Sequence, residues 1–162
     1  MFKHVFFSIA AWILAANAIA AQTNIDLAGI AVDTSAALEV TSDSLSVDQD
    51  TGQATFVGGV MVVQGDLRLQ ANKVEVVYAT ETSDISQLIA TGDVIFVTAD
   101  EAAEAQTAKY DVATGILHLS GDVLLTQGAS VISAETMAIN VTHGTATMQG
   151  RVRTVLQQGN NQ

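Results

Sequence analysis

A Gly-x-Val step recurs four times in this chain, at Gly58, Gly92, Gly121 and Gly150, with spacings of 34, 29 and 29 residues. A fixed period of this size marks one small supersecondary unit used repeatedly, and it restricts the fold before any single residue does. Turn glycines fall six residues ahead of three steps, at Gly52, Gly115 and Gly144. In the second repeat Ser86 stands at that place, inside an inserted loop over 79–86 that accounts for the longer first spacing. Beyond the step, Gln64-Gly65 aligns with Gln127-Gly128, and Asn72-Lys73-Val74-Glu75-Val76 aligns with Glu135-Thr136-Met137-Ala138-Ile139.

Parity within each unit shows which face is dry. In phase with the step glycines lie Ala54, Phe56, Val60 and Val62, then Leu88, Ala90, Val94 and Phe96. The third repeat supplies Leu117, Leu119, Val123 and Leu125, and the fourth Ala146, Met148, Val152 and Thr154. The opposite phase carries mainly Thr, Asp, Gln, Arg and His. Alternation sustained over so many segments predicts antiparallel strands with one buried face. Phase reverses near Ala71-Asn72, Ala105-Gln106 and Ala134-Glu135, where a bulge or corner would return the apolar set to the same interior. The expected architecture is all-β: an elongated stack of antiparallel layers, built from about four β repeats, enclosing an apolar groove. Such a stack has an open edge at each end. The strands near 40–47 and 148–155, with Val40, Leu45, Val47, Met148, Val152 and Val155, are expected to pair with like or related chains. A further short strand is expected near 27–32.

Composition narrows the function. The chain has no proline to interrupt a ladder and no cysteine, so packing and hydrogen bonds alone must hold it. A formal net charge of −11 argues against nucleic acid, whose phosphates require Lys and Arg. Lys3 and His4, an apolar run over 5–14 and Ala18-Ile19-Ala20 read as an export signal cleaved after Ala20. An uncleaved anchor is the competing reading, although the run is short against the ~20 apolar residues of a bilayer span. The expected organisation is therefore a signal peptide over 1–20, a lead-in over 21–36, one β domain over 37–156 and a polar tail over 157–162.

Nothing points to catalysis. His118 and His143 lie far apart in sequence, and no H-x-x-H, C-x-x-C or G-x-S-x-G pattern occurs. Asp93 and Asp122 occupy equivalent repeat positions and read as solvent charges. The expectation is a non-enzyme with no metal and no cofactor.

The run Phe56-Val57-Gly58-Gly59-Val60-Met61-Val62-Val63-Gln64-Gly65, continuing Leu67-Arg68-Leu69-Gln70-Ala71-Asn72-Lys73-Val74, resembles the OstA-like family. The lead from Leu38 to Leu45 and the ending Gly150-Arg151-Val152-Arg153-Thr154-Val155-Leu156 fit as well. The resemblance implies a twisted, V-shaped β-jelly-roll whose interior holds the lipid A acyl chains of lipopolysaccharide. It also implies a periplasmic location and a head-to-tail homo-oligomer, running from an inner-membrane LptC-like component to an outer-membrane LptD-like component.

On that reading Phe56, Val60, Val62, Leu67, Leu69, Val76, Phe96, Leu119, Leu125, Met137 and Ile139 line the groove. Burial of a methylene contributes about 0.8 kcal/mol, so a dozen-carbon chain offers on the order of 9 kcal/mol before ordering costs. Only five basic residues follow the leader against 17 acidic ones. Weight therefore falls on the acyl chains, with Arg151 and Arg153 as candidate phosphate contacts at the terminal edge. Two competing readings stand beside it: an envelope scaffold that assembles through β edges without cargo, and a membrane-anchored LptC-like relative.

Overall fold

Each alternating segment forms a strand in the computed structural model, which describes residues 23–27 and 35–155. The leader over 1–20, part of the lead-in and the tail over 157–162 lie outside the described residues. The strands are β1 (Thr23–Asp26), β2 (Glu39–Thr41), β3 (Ser44–Val47), β4 (Ala54–Gln64), β5 (Leu67–Tyr78) and β6 (Ile85–Val97). They continue as β7 (Glu101–Asp111), β8 (Ile116–Gln127), β9 (Ser130–Asn140), β10 (Thr145–Gln149) and β11 (Arg153–Val155). All belong to one antiparallel sheet in the order β1-β10-β9-β8-β7-β6-β5-β4-β2, with β3 on β4 and β11 on β9. The fold is thus the expected twisted, jelly-roll-like β structure of recurring units.

The Gly-x-Val steps are the crease of this sheet. Between Val57↔Lys73 and Val60↔Ala71, the pair Gly58-Gly59 opposes the single residue Asn72. Gly92-Asp93 opposes Gln106, and Gly121-Asp122 opposes Glu135, by the same two-against-one count. An extra residue on one strand bends it and sharpens its twist. Both residues of every step have positive φ, from 80° to 86° at the first glycine and 44° to 49° at the second position. Aligned across the sheet, the bulges divide it into two walls. The first wall ends in the turns after Val47, Tyr78, Asp111 and Asn140. The second ends in the turns after Gln64, Val97 and Gln127. Asn72 reverses the parity of β5 without ending it, so the strand runs unbroken through the corner.

Glycine at the crease is required by space as well as by dihedral. A Cβ at Gly121, where φ is 85°, would lie 2.8 Å from Gln106 Cβ. Equivalent side chains, Asp43, Asn72 and Glu135, cover Gly58, Gly92 and Gly150. These covering groups then pair with the residue after the glycine: Asn72 Nδ2 donates to Asp93 Oδ2 at 2.9 Å, and Gln106 Nε2 to Asp122 Oδ2 at 3.0 Å. Glu135 Oε1 meets the Arg151 guanidinium at 2.7 Å. In the first repeat the residue after the glycine is Gly59, so Asp43 has no side chain to meet there.

Three of the four first-wall turns share a second device. Asp48 Oδ1 accepts the N–H groups of Asp50 and Thr51 at 2.9 and 3.0 Å. Asn140 Oδ1 accepts those of Thr142 and His143 at 3.1 and 3.0 Å. Asp111 Oδ1 accepts both the N–H and the hydroxyl of Thr114 at 2.9 Å. Each turn then closes through a positive-φ glycine, Gly52, Gly144 or Gly115. The inserted loop takes its positive φ at Ser83, three residues before the Ser86 that aligns with those glycines.

Candidate functional site

Same-parity residues on both sides of the crease face one interior. Across the second wall, Val62, Leu69, Phe96, Ala103, Leu125 and Ile132 stand in one cross-strand row. Across the first wall, Phe56, Val74, Ala90, Ala108, Leu119, Met137 and Met148 form another, and Val76 and Ile139 lie in the row beyond. Ten of the eleven groove residues named from the sequence are buried, and all ten belong to one continuous apolar core. Phe56 is half-buried, because the strand beside it is the short edge strand β3, whose facing Leu45 is 56% exposed.

The walls are nearly in contact. The apolar cavity between them has a volume of about 20 Å³ and is lined from the second wall by Val62, Gln64, Leu67 and Leu69. Leu88, Ala90, Ala108, Tyr110 and Leu117 line it from the first, with Leu38 at the margin. A single water needs roughly 10–15 Å³ measured this way, and a benzene-sized guest a cavity of about 150 Å³. That cavity as it stands is too small for an acyl chain.

Polar groups were missed by a reading that counted only apolar phase. Gln64, Thr98 and Glu101 are buried, and all lie at the lip of the second wall, farthest from the crease. Thr98 Oγ1 donates to Glu101 Oε2 at 2.6 Å, and Gln127 Nε2 donates to Glu101 Oε1 at 3.4 Å. Gln64 Nε2 donates to the Ala36 carbonyl at 3.1 Å, while Tyr110 Oη, from the first wall, donates to Gln64 Oε1 at 3.4 Å. Burial pushes the Tyr110 hydroxyl above its ordinary pKa, and the neighbouring Asp111 carboxylate adds to this. The signal was present: Gln64 and Gln127 continue the inward phase and precede matching glycines.

The sheet ends differ from expectation. The stretch near 40–47 is two strands: β2, with Val40, pairs with the second-wall half of β4, and β3, with Leu45 and Val47, with the first-wall half. Leu45 and Val47 are exposed at that edge. The stretch near 148–155 also divides. Met148 lies in β10, which is flanked on both sides because β1 covers it (Thr23↔Met148), so Met148 is not at a free edge. The outer strand of the first wall there is β1 at Thr23–Asp26; of the range 27–32, where a short strand is expected, only Leu27 lies among the described residues. Val152 lies between β10 and β11 and packs on the core, whereas Val155 in β11 is exposed.

Arg151 is already held by Glu135, in an outer depression of about 510 Å³ that also presents Glu104 and Asp122. Arg153 projects from the edge strand β11 and is exposed. His118 is exposed on the outer face of β8, and His143 Nδ1 lies 2.9 Å from Asn140 Oδ1 within its turn. Among the described residues no three His, Asp or Glu side chains converge as metal ligands would.

Comparison with known proteins follows the same lines. Residues 39–145 match a family described as LptA/(LptD N-terminal domain) LPS transport protein. An uncharacterized protein of Rhizobium meliloti (strain 1021) is 26% identical over 153 residues, covering 94% of this chain and 70% of that protein. Among solved structures, LptH of Pseudomonas aeruginosa, described as the LptA-homologous periplasmic component of the lipopolysaccharide transport device, superposes with a TM-score of 0.69. The match covers 78% of this chain and 99% of LptH at 19% identity, a likeness of fold.

Proposed function

Since the chain belongs to the LptA/(LptD N-terminal domain) LPS transport protein family, we propose that it is a periplasmic carrier that shields lipopolysaccharide acyl chains between its two walls. The observation that carries this reading is the single uninterrupted apolar interior, with ten of the sequence-named residues buried in it on one side of a creased sheet. Family and fold are those of a transport or binding protein and not of an enzyme class. The leader over 1–20 delivers the chain across the inner membrane and is removed after Ala20. Carriage then runs from an LptC-like component to an LptD-like one through head-to-tail copies joined at sheet edges, with Leu45 and Val47 at one end and Val155 at the other. Of the two arginines, Arg153 suits a lipid phosphate better, because Arg151 is engaged by a carboxylate and flanked by two more.

The near-filled interior favours a second reading, an envelope scaffold that assembles through its edges without cargo. Photo-crosslinking separates the two. Light-activated labels at Phe56 and Phe96 are expected to capture lipopolysaccharide in cells. Labels at both positions that capture none, in a chain that still assembles, would sink the carrier and leave the scaffold.

A further inference from the structure

The slit between the wall lips is opposite the crease, and a residue from each wall meets the other across it. Tyr110 sits near the first-wall lip and Gln64 at the end of the second wall, and the Tyr110 hydroxyl donates to the Gln64 side-chain carbonyl across the gap. Leu38 packs beside them. These three residues line the 20 Å³ cavity on its inner side. The same three also line an open depression of about 410 Å³ on the outside, which Ser83, Asp84, Ile85 and Val112 complete. Their side chains thus face both the apolar interior and that vestibule.

Resting on the carrier reading above, we propose that the Gln64–Tyr110 pair is the latch of a lateral slit, through which an acyl chain of the lipid passes into the interior. The volumes require a moving part, because a space that holds about one water cannot admit a hydrocarbon chain while the walls stay in place. At the crease the walls are tied by continuous β ladders and by the Asn72–Asp93, Gln106–Asp122 and Glu135–Arg151 pairs. At the lips the Tyr110–Gln64 contact is one long hydrogen bond between side chains, and parting it breaks no backbone ladder. Opening therefore occurs at the lips, with the crease as the hinge. Gln64 keeps its bond to the Ala36 carbonyl on its own wall, so the amide stays placed when Tyr110 leaves. A polar pair at the opening of an apolar interior suits the ester or amide link where an acyl chain joins its sugar.

The chain has no cysteine, which makes a two-site crosslink clean. A Gln64→Cys/Tyr110→Cys double variant bridged by a thiol-reactive linker with a cleavable arm pins the lips together. The probe is fluorescently labelled lipopolysaccharide, and the readout is its rate of uptake. Bridging is expected to slow uptake more than tenfold, and cleaving the arm to restore it. Tyr110→Phe keeps the ring and removes only the hydroxyl, and it is expected to speed uptake about two- to tenfold, the size of one hydrogen bond's net contribution. If the bridged protein takes up lipid at the unbridged rate, the latch is overturned and the carrier reading stands. A wild-type chain that takes up no lipid overturns both.

Discussion

The middle of the sheet and its two ends are made from the same repeat, yet they cross the crease differently. β5, β6, β7 and β8 run 11 to 13 residues straight through the bulges as single strands. At the first end the equivalent strand is broken into β2 and β3, of 3 and 4 residues, with Asp43 at the break. At the last end it is broken into β10 and β11, of 5 and 3 residues, with Gly150-Arg151 at the break. A bulged strand with neighbours on both sides keeps its register through the bend, because ladders on either flank hold each half in place. Where a half-strand has only one neighbour, as β2, β3 and β11 have, the same bend interrupts the strand. Continuity across the crease is thus a property of position in the sheet and not of the repeat sequence.

The largest test of this difference compares two inward-facing residues. Phe96 in β6 is 0% exposed, while Leu45 in β3, of the same inward parity, is 56% exposed. Phe96→Ala is expected to cost about 3–5 kcal/mol, as for a large aromatic in a closed core. Leu45→Ala should stay within about 0.5 kcal/mol of wild type in the isolated chain. Urea unfolding midpoints measure both. Comparable losses at the two positions would mean that the first end is as well packed as the middle, and the contrast would fail.

A smaller effect separates the crease glycines. Gly121 and Gly58 have nearly equal φ, 85° and 86°, so an alanine meets the same backbone cost at either, about 1–2 kcal/mol. Their covers differ. Gln106 is locked in the centre of β7 between two ladders, whereas Asp43 lies in the break between two short edge strands, tied to the Gly58 carbonyl by its own N–H at 3.0 Å but with no ladder on its outer side. Gly121→Ala is therefore expected to cost about 2–4 kcal/mol once the crowding against Gln106 is added, and Gly58→Ala about 1–2 kcal/mol. Equal costs would show that the end of the crease is as rigid as its centre.

How far the sequence carried follows from the range over which each feature is determined. Inward parity, the phase reversal at Asn72 and the turn glycines are properties of a few consecutive residues, and the structure keeps them. The break at Asp43 could not be read, because Leu45 and Val47 continue an alternating pattern and only the missing second neighbour interrupts it. Nor could the covering of Met148. Thr23-Asn24-Ile25-Asp26 has little β pattern of its own and becomes a strand by pairing with β10, more than a hundred residues away. The lip residues were hidden for a third reason. Gln64 and Tyr110 are 46 residues apart and meet only when the sheet folds on its crease. Polar residues at inward positions read as interruptions until the opposite wall supplies a partner.

Local turn chemistry should ignore position altogether, which gives the smallest effect and the sharpest limit on the comparison. Backbone N–H donors, chiefly that of Thr51, hold the Asp48 carboxyl below its ordinary pKa; the Thr114 N–H and hydroxyl do the same for Asp111. A carboxylate whose folded pKa is depressed stabilises the fold above its unfolded pKa, about 3.9, and loses that contribution as pH falls through the folded value. Asn140, a side chain that does not ionise, holds the equivalent place in its own turn and keeps the same acceptor geometry. Asp111→Asn and Asp48→Asn should therefore each keep the turn and shift the acid-unfolding midpoint to slightly lower pH. The shifts should be of similar size, and additive in the double variant because the turns are far apart and share no partner. One turn lies at the end of the sheet and the other in its middle. A shift at Asp111 alone would extend the contrast between middle and end down to single turns. Equal shifts confine it to the ladders and the crease.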